Sequence, residues 1–330
     1  MWDARKVPGI AVAFCAGAWL AQPVFAAQDD AAKDYPNKPI RLIVPFVPGA
    51  GTDTTARTIA KKLTAAWGQQ VVVDNRPGAA GTIALETTAL AIPDGYTICL
   101  ISASQTVNSA TNPKLPYDLE KDLRAITQAV SLFYVLFVSP SVPATSVKEL
   151  IAHARANPRK LNFGSSGTGG LQHFAGEMFG HLAGIKFTHV PYKGGAALIV
   201  GMLAGDIQVG FTALVGVKSH MASGRVRVLA ITAKQRSPAM PELPTVAEVV
   251  PGYEIDQWHG VVTGAKVPRA IVGKLSVAIG EAMKSPEVVQ LLSTDGSVPV
   301  GSGPEQFGAH IKSEIAKWRR LVKDAGLILR

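Results

Sequence analysis

The feature that most constrains the fold of this chain is a repeated order of apolar run, turn and amphipathic helix, with two of the turns rich in glycine. Residues 40–47 form an apolar run ending in Pro48-Gly49-Ala50-Gly51. Ala56, Ile59, Ala60, Leu63 and Trp67 follow at helical spacing, and Thr52 and Asp53 sit where N-cap residues belong. Residues 71–73 read as a strand, Asn75-Arg76-Pro77-Gly78 as a turn, 83–91 as a helix stopped by Pro93-Asp94-Gly95, and 97–102 as a strand. The order restarts at 161–163, which lead into Gly164-Ser165-Ser166-Gly167-Thr168-Gly169-Gly170 and the helical stripe Leu171, Phe174, Ala175, Met178, Leu182. Strands at 187–190, 207–211 and 226–232 and a helix at 196–204 complete the second series. Alternation of this kind implies mostly parallel sheets flanked by helices, and two series imply two similar α/β lobes.

Two further apolar, β-prone stretches, residues 132–138 and 253–263, are placed to cross between the lobes. The expected organisation is then a discontinuous first lobe, 27–132 plus 253–330, a second lobe at 133–252, and a cleft between them. Helices at 271–284 and 304–325 are expected to pack back on the first lobe.

The N-terminal segment sets the compartment. Arg5 and Lys6 precede an uncharged run at 10–25, cut by Pro23, and Val24-Phe25-Ala26 offers small residues at cleavage positions. A membrane span needs roughly 20 apolar residues, so 1–26 reads as a signal peptide cleaved after Ala26 rather than an anchor, and the mature chain as periplasmic. Cys15 follows Phe14, not the small residue a lipidated start requires. Cys99, between Ile98 and Leu100, is left without a pairing partner and reads as a buried small hydrophobe.

The net charge of +9 falls to +8 once Asp3, Arg5 and Lys6 are removed. The excess favours encounter with anions, but it is spread along the chain, and nucleic-acid binding needs it clustered. No cofactor and no metal are expected. The loops lack Gly-Lys-Ser/Thr for phosphates, and Gln172 takes the third glycine position of a dinucleotide fingerprint. His173 and His181 are eight residues apart, too far for joint ligation, and His189 is on another element. A nucleophile elbow needs glycines two residues either side of the serine; Ser166 has Gly164 but Thr168, and neither Ser165 nor Ser166 has an evident base partner. An enzyme is therefore not expected.

What the two glycine loops can do is hold an anion. Each lies between a strand and a helix start, where backbone N–H groups lack partners and the dipole is positive. Glycine lets an anion approach the backbone closely. Two such turns facing one cleft can hold a carboxylate without arginine.

These stretches resemble the substrate-binding proteins of tripartite tricarboxylate transporters, the Bug or TctC-type family. The resemblance is carried by Val44-Pro45-Phe46-Val47-Pro48-Gly49-Ala50-Gly51-Thr52-Asp53, Val73-Asp74-Asn75-Arg76-Pro77-Gly78-Ala79-Ala80-Gly81, Pro93-Asp94-Gly95-Tyr96-Thr97, Leu115-Pro116-Tyr117-Asp118 and Val190-Pro191-Tyr192-Lys193-Gly194. It implies a two-lobe Venus flytrap fold, type II-like, that closes on a mono-, di- or tricarboxylate or an acidic amino acid. The carboxylate is implied to sit on the loops matching Phe46 to Asp53 and Ser165 to His173. The chain departs from the family pattern at Ala50, usually glycine, at Leu171, usually Thr or Ser, and at Thr212, usually Asp; the last disfavours amino-acid ligands.

The expected site is thus Phe46, Pro48, Gly49, Ala50, Gly51, Thr52 and Asp53 on one jaw and Ser165, Ser166, Gly167, Thr168, Gly169, Gly170 and His173 on the other. Thr212 is expected as a further wall; Trp258 reads first as a core or hinge aromatic, with a place in the cleft wall as the alternative that adds it to the site. The expected partners are a small carboxylate and membrane permease subunits, with the chain a monomer. Three alternatives stand beside this: a sensor feeding a membrane receptor, an exported serine hydrolase using Ser165 or Ser166, and a binder of phosphate or sulfate.

Overall fold

The computed structural model describes residues 32–49, 51–237, 240–293 and 296–325. The expected signal peptide and Ala50 lie outside the described residues. The elements run β1 (Ile40–Val44), α1 (Gly51–Trp67), β2 (Val71–Asn75), α2 (Thr82–Ala89), β3 (Thr97–Ser102), α3 (Ala103–Thr111) and the long β4 (Leu123–Val138). Then come α4 (Val147–Ala156), β5 (Asn162–Ser165), α5 (Leu171–Ala183), β6 (Thr188–Pro191), α6 (Gly195–Ala204), β7 (Val209–Ala213), α7 (Leu214–Ala222) and β8 (Arg227–Ile231). The chain ends with β9 (Asp256–Gly264), α8 (Arg269–Lys284), α9 (Pro286–Ser293), β10 (Val298–Pro299) and α10 (Pro304–Ala325).

Two sheets share β4. The first is ordered β2-β1-β3-β9-β4-β10 and the second β6-β5-β7-β4-β8. β1, β2 and β3 pair in parallel, as do β5, β6 and β7. β4, which runs through both sheets, and β9, which enters the first sheet at the junction, pair antiparallel with their neighbours. Both sheets are therefore mixed: the strand–helix units supply the parallel pairs, and a strand returning through the junction must run the opposite way. β4 pairs with β9 as far as Phe133 and with β7 and β8 from Tyr134 onward. Thr232 ties the two crossing segments together. Its hydroxyl accepts the Tyr134 N–H at 2.9 Å and donates to the Ile255 carbonyl at 2.9 Å.

Packing follows the residue pattern. α1 buries Ala56, Ile59, Ala60 and Leu63 against the first sheet, and each large apolar side chain so covered stabilises by about 1.5–3 kcal/mol. On the other face a single apolar core continues from α3 and α10 of the first lobe into α5 of the second. There the Phe174 and Trp318 rings meet edge-on at 5.8 Å, and the Tyr253 hydroxyl donates to the Ala175 carbonyl at 3.2 Å. Cys99 is fully buried in this core. Among the described residues no helix is long and apolar enough to cross a membrane.

Candidate functional site

Register places the two glycine loops at one junction. Ser102, the last residue of β3, lies opposite His259, three residues after β9 enters the first sheet. The C-terminal ends of β1 and β3 therefore lie at the end of the sheet where the chain crosses between lobes. In the second sheet Tyr134, where β4 enters, lies opposite Ala213, the last residue of β7. β5 and β6 run parallel to β7, so their C-terminal ends share that edge. The helix starts of α1 and α3 from one lobe and α5, α6 and α7 from the other thus open at the same place, with unpaired N–H groups and positive dipole ends.

The first loop is held from within its own lobe. α1 begins at Gly51, so Thr52 and Asp53 are in its first turn rather than at the cap. The buried Asp53 carboxylate accepts the Gly49 N–H at 2.9 Å, the Arg57 Nε–H at 2.8 Å and the Asn75 amide at 2.9 Å. Burial works against its ionisation, but Arg57, Gly49 and Asn75 together hold the carboxyl below the ordinary aspartate range. Asn75 also donates to the Phe46 carbonyl at 3.0 Å, while the Phe46 ring packs on the first-lobe core. Pro48, Gly49 and Gly51 are exposed. Deeper in, the Thr55 hydroxyl lies 2.9 Å from His259 Nδ1, and burial pushes that imidazole down to about 4, so it is neutral.

The second loop is held by a denser set. Ser166 N–H donates to Gln172 Oε1 at 2.8 Å, Gly167 N–H to Ser165 Oγ at 3.2 Å, and Gly169 N–H to His173 Nδ1 at 3.2 Å. Gly167 has φ of 141° and Gly169 of 78°, the latter a left-handed conformation that glycine adopts without a Cβ penalty. The adjoining turn is knitted on: Tyr192 N–H donates to the Ser165 carbonyl at 2.9 Å and Gly194 N–H to that of Ser166 at 3.2 Å. Gln172 donates to the Thr212 hydroxyl at 3.3 Å. A Cβ on Gly195, the first residue of α6, would lie 3.9 Å from that hydroxyl. Thr212 therefore sits where α5, α6 and α7 start together. With the other loop amides engaged, the donors left for an anion are Thr168 N–H and the first-turn N–H groups of Leu171, Gln172 and His173.

Several sequence expectations are corrected by this geometry. Asp53, Ser165 and His173 are turned into their own lobes, where they brace the loops. The Ser165 hydroxyl does have a base beside it, His189 Nε2 at 2.7 Å, a contact spanning 24 residues that spacing did not reveal. The His173 and His189 rings stack at 4.0 Å, with Phe163 against His189 at 4.7 Å. Burial, helped by the neighbouring His173, pushes His189 down to about 4. This pair is not arranged for hydrolysis. Ser165 is fully buried, its hydroxyl also contacts the Gly167 carbonyl at 3.0 Å, and the nearest carboxylate, Glu177, reaches His173 at 3.6 Å instead. Trp258 is not a cleft wall. It is fully buried under α10, edge-on to Phe307 at 5.3 Å and His310 at 5.4 Å. Its neighbour His259 points the other way, toward α1.

Among the described residues no cluster of three acidic, histidine or cysteine side chains is arranged to hold a metal. Two surface cavities lie away from the junction. One of about 380 Å³ is lined by Lys61, Lys62 and Glu287, and one of about 330 Å³ by Tyr117, Asp118 and Arg319.

Comparison with known proteins agrees with this architecture. The model of the tripartite tricarboxylate transporter family receptor matches residues 55–327. The chain is 34% identical to Protein BugT of Bordetella pertussis over 320 residues, covering 96% of each chain. A solved structure described as a periplasmic transporter superposes with a TM-score of 0.80 at 37% identity, over 88% of this chain and 97% of that one. R. palustris Rpa4515, solved with adipate, superposes with a TM-score of 0.82 at 34% identity, over 89% and 99%.

Proposed function

The chain belongs to the tripartite tricarboxylate transporter receptor family, a family of solute-binding proteins and not enzymes, and from that premise we propose that it captures a small carboxylate between its lobes. The observation that carries this is the convergence of helix starts from both lobes on one junction, with the glycine loops among them. One such helix end stabilises a bound anion by about 0.3–1 kcal/mol, and up to about 2 when partly buried. Several together, with backbone hydrogen bonds and water excluded on closure, account for the roughly −8 kcal/mol of a micromolar complex.

In this reading Phe46, Pro48, Gly49, Gly51 and Thr52 form one jaw, and Ser166 to Gly170 with the start of α5 form the other. Asp53, Ser165 and His173 brace them. Thr212 leaves the meeting point of three helix starts without a negative charge, which favours a carboxylate over an amino group. Lys193, exposed in the turn before α6, adds a cation at the rim. The lobes are residues 27–132 with 253–330 and residues 133–252. The mature protein works as a periplasmic monomer, with residues 1–26 removed on export, and hands its ligand to membrane permease subunits. The adipate-bound neighbour supports the ligand class.

The test is thermal unfolding of protein refolded to strip carried-over ligand, against carboxylates, acidic amino acids, phosphate and sulfate. A ligand at a hundred times its dissociation constant adds about 2.7 kcal/mol of stability. A raised midpoint with carboxylates and none with inorganic anions is expected. Stabilisation by phosphate or sulfate alone overturns the ligand class.

A further inference from the structure

Among the buried polar atoms with no hydrogen-bond partner in the described residues are Thr52 Oγ1 and Gln257 Oε1. Thr52 is 5% exposed and Gln257 7%. The fold places them on neighbouring elements, just beyond one contact between α1 and β9. Thr52 lies three residues before Thr55 on α1, and Gln257 two residues before His259 on β9, and Thr55 and His259 touch at 2.9 Å. Both α1 and β9 start at the junction and run away from it. Moving toward the cleft from the Thr55–His259 contact covers about 4.5 Å along the helix and about 6.8 Å along the strand. Thr52 and Gln257 are therefore the next layer, on the cleft side.

Nothing nearby among the described residues satisfies them. The Thr55 hydroxyl contacts Gly51 and His259, Asp53 is engaged by Gly49, Arg57 and Asn75, and Ser102 is engaged with Ser104 and Gln105. A buried amide or hydroxyl without a partner is costly. An ionised carboxylate offers only acceptors and cannot satisfy an amide oxygen. A hydroxyl both donates and accepts, so it can donate to Gln257 Oε1 and accept from the Thr52 hydroxyl.

We propose that Thr52 and Gln257 form a neutral polar subsite on the floor of the first lobe that selects ligands carrying a hydroxyl beside the bound carboxylate. This rests on the carboxylate reading and narrows it to hydroxy acids. A site built to pair a hydroxyl discriminates strongly against the analogue without it, because its own polar atoms are then left unpaired.

The test is calorimetric titration with acids matched except for one hydroxyl: malate with succinate, lactate with propionate, citrate with tricarballylate. The hydroxylated member of the pair that fits is expected to bind about tenfold tighter or more. Gln257→Leu and the near-isosteric Thr52→Val are each expected to bring that ratio toward one. Thr52→Val carries the test if Gln257→Leu does not fold. Equal or weaker binding of the hydroxylated acids, or a preference that survives in folded variants, overturns the subsite while leaving the carboxylate reading standing. Binding of none of the six acids overturns the subsite, while the carboxylate reading stands or falls on the wider unfolding panel.

Discussion

The carboxylate of Asp53 accepts the backbone N–H of Gly49 at 2.9 Å, so the acidic residue in the first turn of α1 faces its own loop and not the cleft. With Asn75 and Arg57 on its remaining lone pairs, Asp53 sets the shape of the first jaw while Arg57 offsets its charge. Asp53→Ala removes the acceptor of the Gly49 N–H and the Asn75 amide, while the exposed Arg57 turns to solvent. The variant is expected to lose about 1–3 kcal/mol of stability and to bind carboxylates more weakly. Asp53→Asn, which keeps an acceptor for Gly49 but loses the ion pair, is expected to fall between. Urea unfolding and calorimetry on both variants check the order.

Thr212 stands where three helix starts meet, so its charge decides what that point attracts. Thr212→Asp places an anion there, able to pair with a ligand ammonium group. The variant is expected to gain on acidic amino acids relative to the matched acids without an amino group, by tenfold or more in the affinity ratio, about 1.4 kcal/mol. An unchanged ratio in titrations of this variant contradicts the placement of the ligand near α6 and α7.

Buried histidines set the pH dependence of stability. His259 is held down at about 4 by burial, against about 6.5 in the unfolded chain. Between those values the unfolded chain binds the proton and the folded one does not, so stability rises with pH from about 4 to 6.5. For His259 alone the full rise is about 3 kcal/mol. His189 acts in the same direction. Asp256 opposes them: burial, against the pull of Lys317 and with Glu254 and Glu314 adding to it, raises its pKa to about 6, so its contribution falls as pH rises from 3.8 to about 6. Two histidines against one carboxylate leave a net positive slope. Urea unfolding at pH 4.5, 5.5 and 6.5 is expected to show it, and His259→Asn to flatten most of it below pH 6.

Gly176 is a packing glycine. An added Cβ there would lie 2.2 Å from the Phe163 ring, which is buried and stacked on His189. Alanine gains about 1 kcal/mol of helix propensity over glycine, but the clash costs about 1–3 kcal/mol. Gly176→Ala is expected to be net destabilising, read as a lowered unfolding midpoint, and to displace the ring stack that braces the second loop.

Where one period dominates, the sequence was legible. The strand Thr97–Ser102 and the helix Pro304–Ala325 end where the residue pattern places them. The glycine loops and the junction strands were visible because a strand-to-helix turn announces itself. What was hidden has physical reasons. α3 starts at a capping box built by Ser102 and Gln105 with no glycine to mark it, and α7 follows β7 without a turn. β9 is buried on both faces, so alternation cannot tell which of Trp258 and His259 faces the core and which faces α1. The bracing contacts of Ser165 with His189 and of Asp53 with Asn75 span 24 and 22 residues, and only the assembled sheets bring them together.

The central claim is that helix-start amides of both lobes hold the carboxylate. The most direct measurement is an amide ¹H–¹⁵N titration of ligand-stripped protein with the carboxylate that most stabilises it. The largest shifts are predicted at Gly51 to Thr54 in one lobe and at Thr168 and Leu171 to His173 in the other. Shifts confined to one lobe, or to the surface around Lys61 and Lys62, would contradict it.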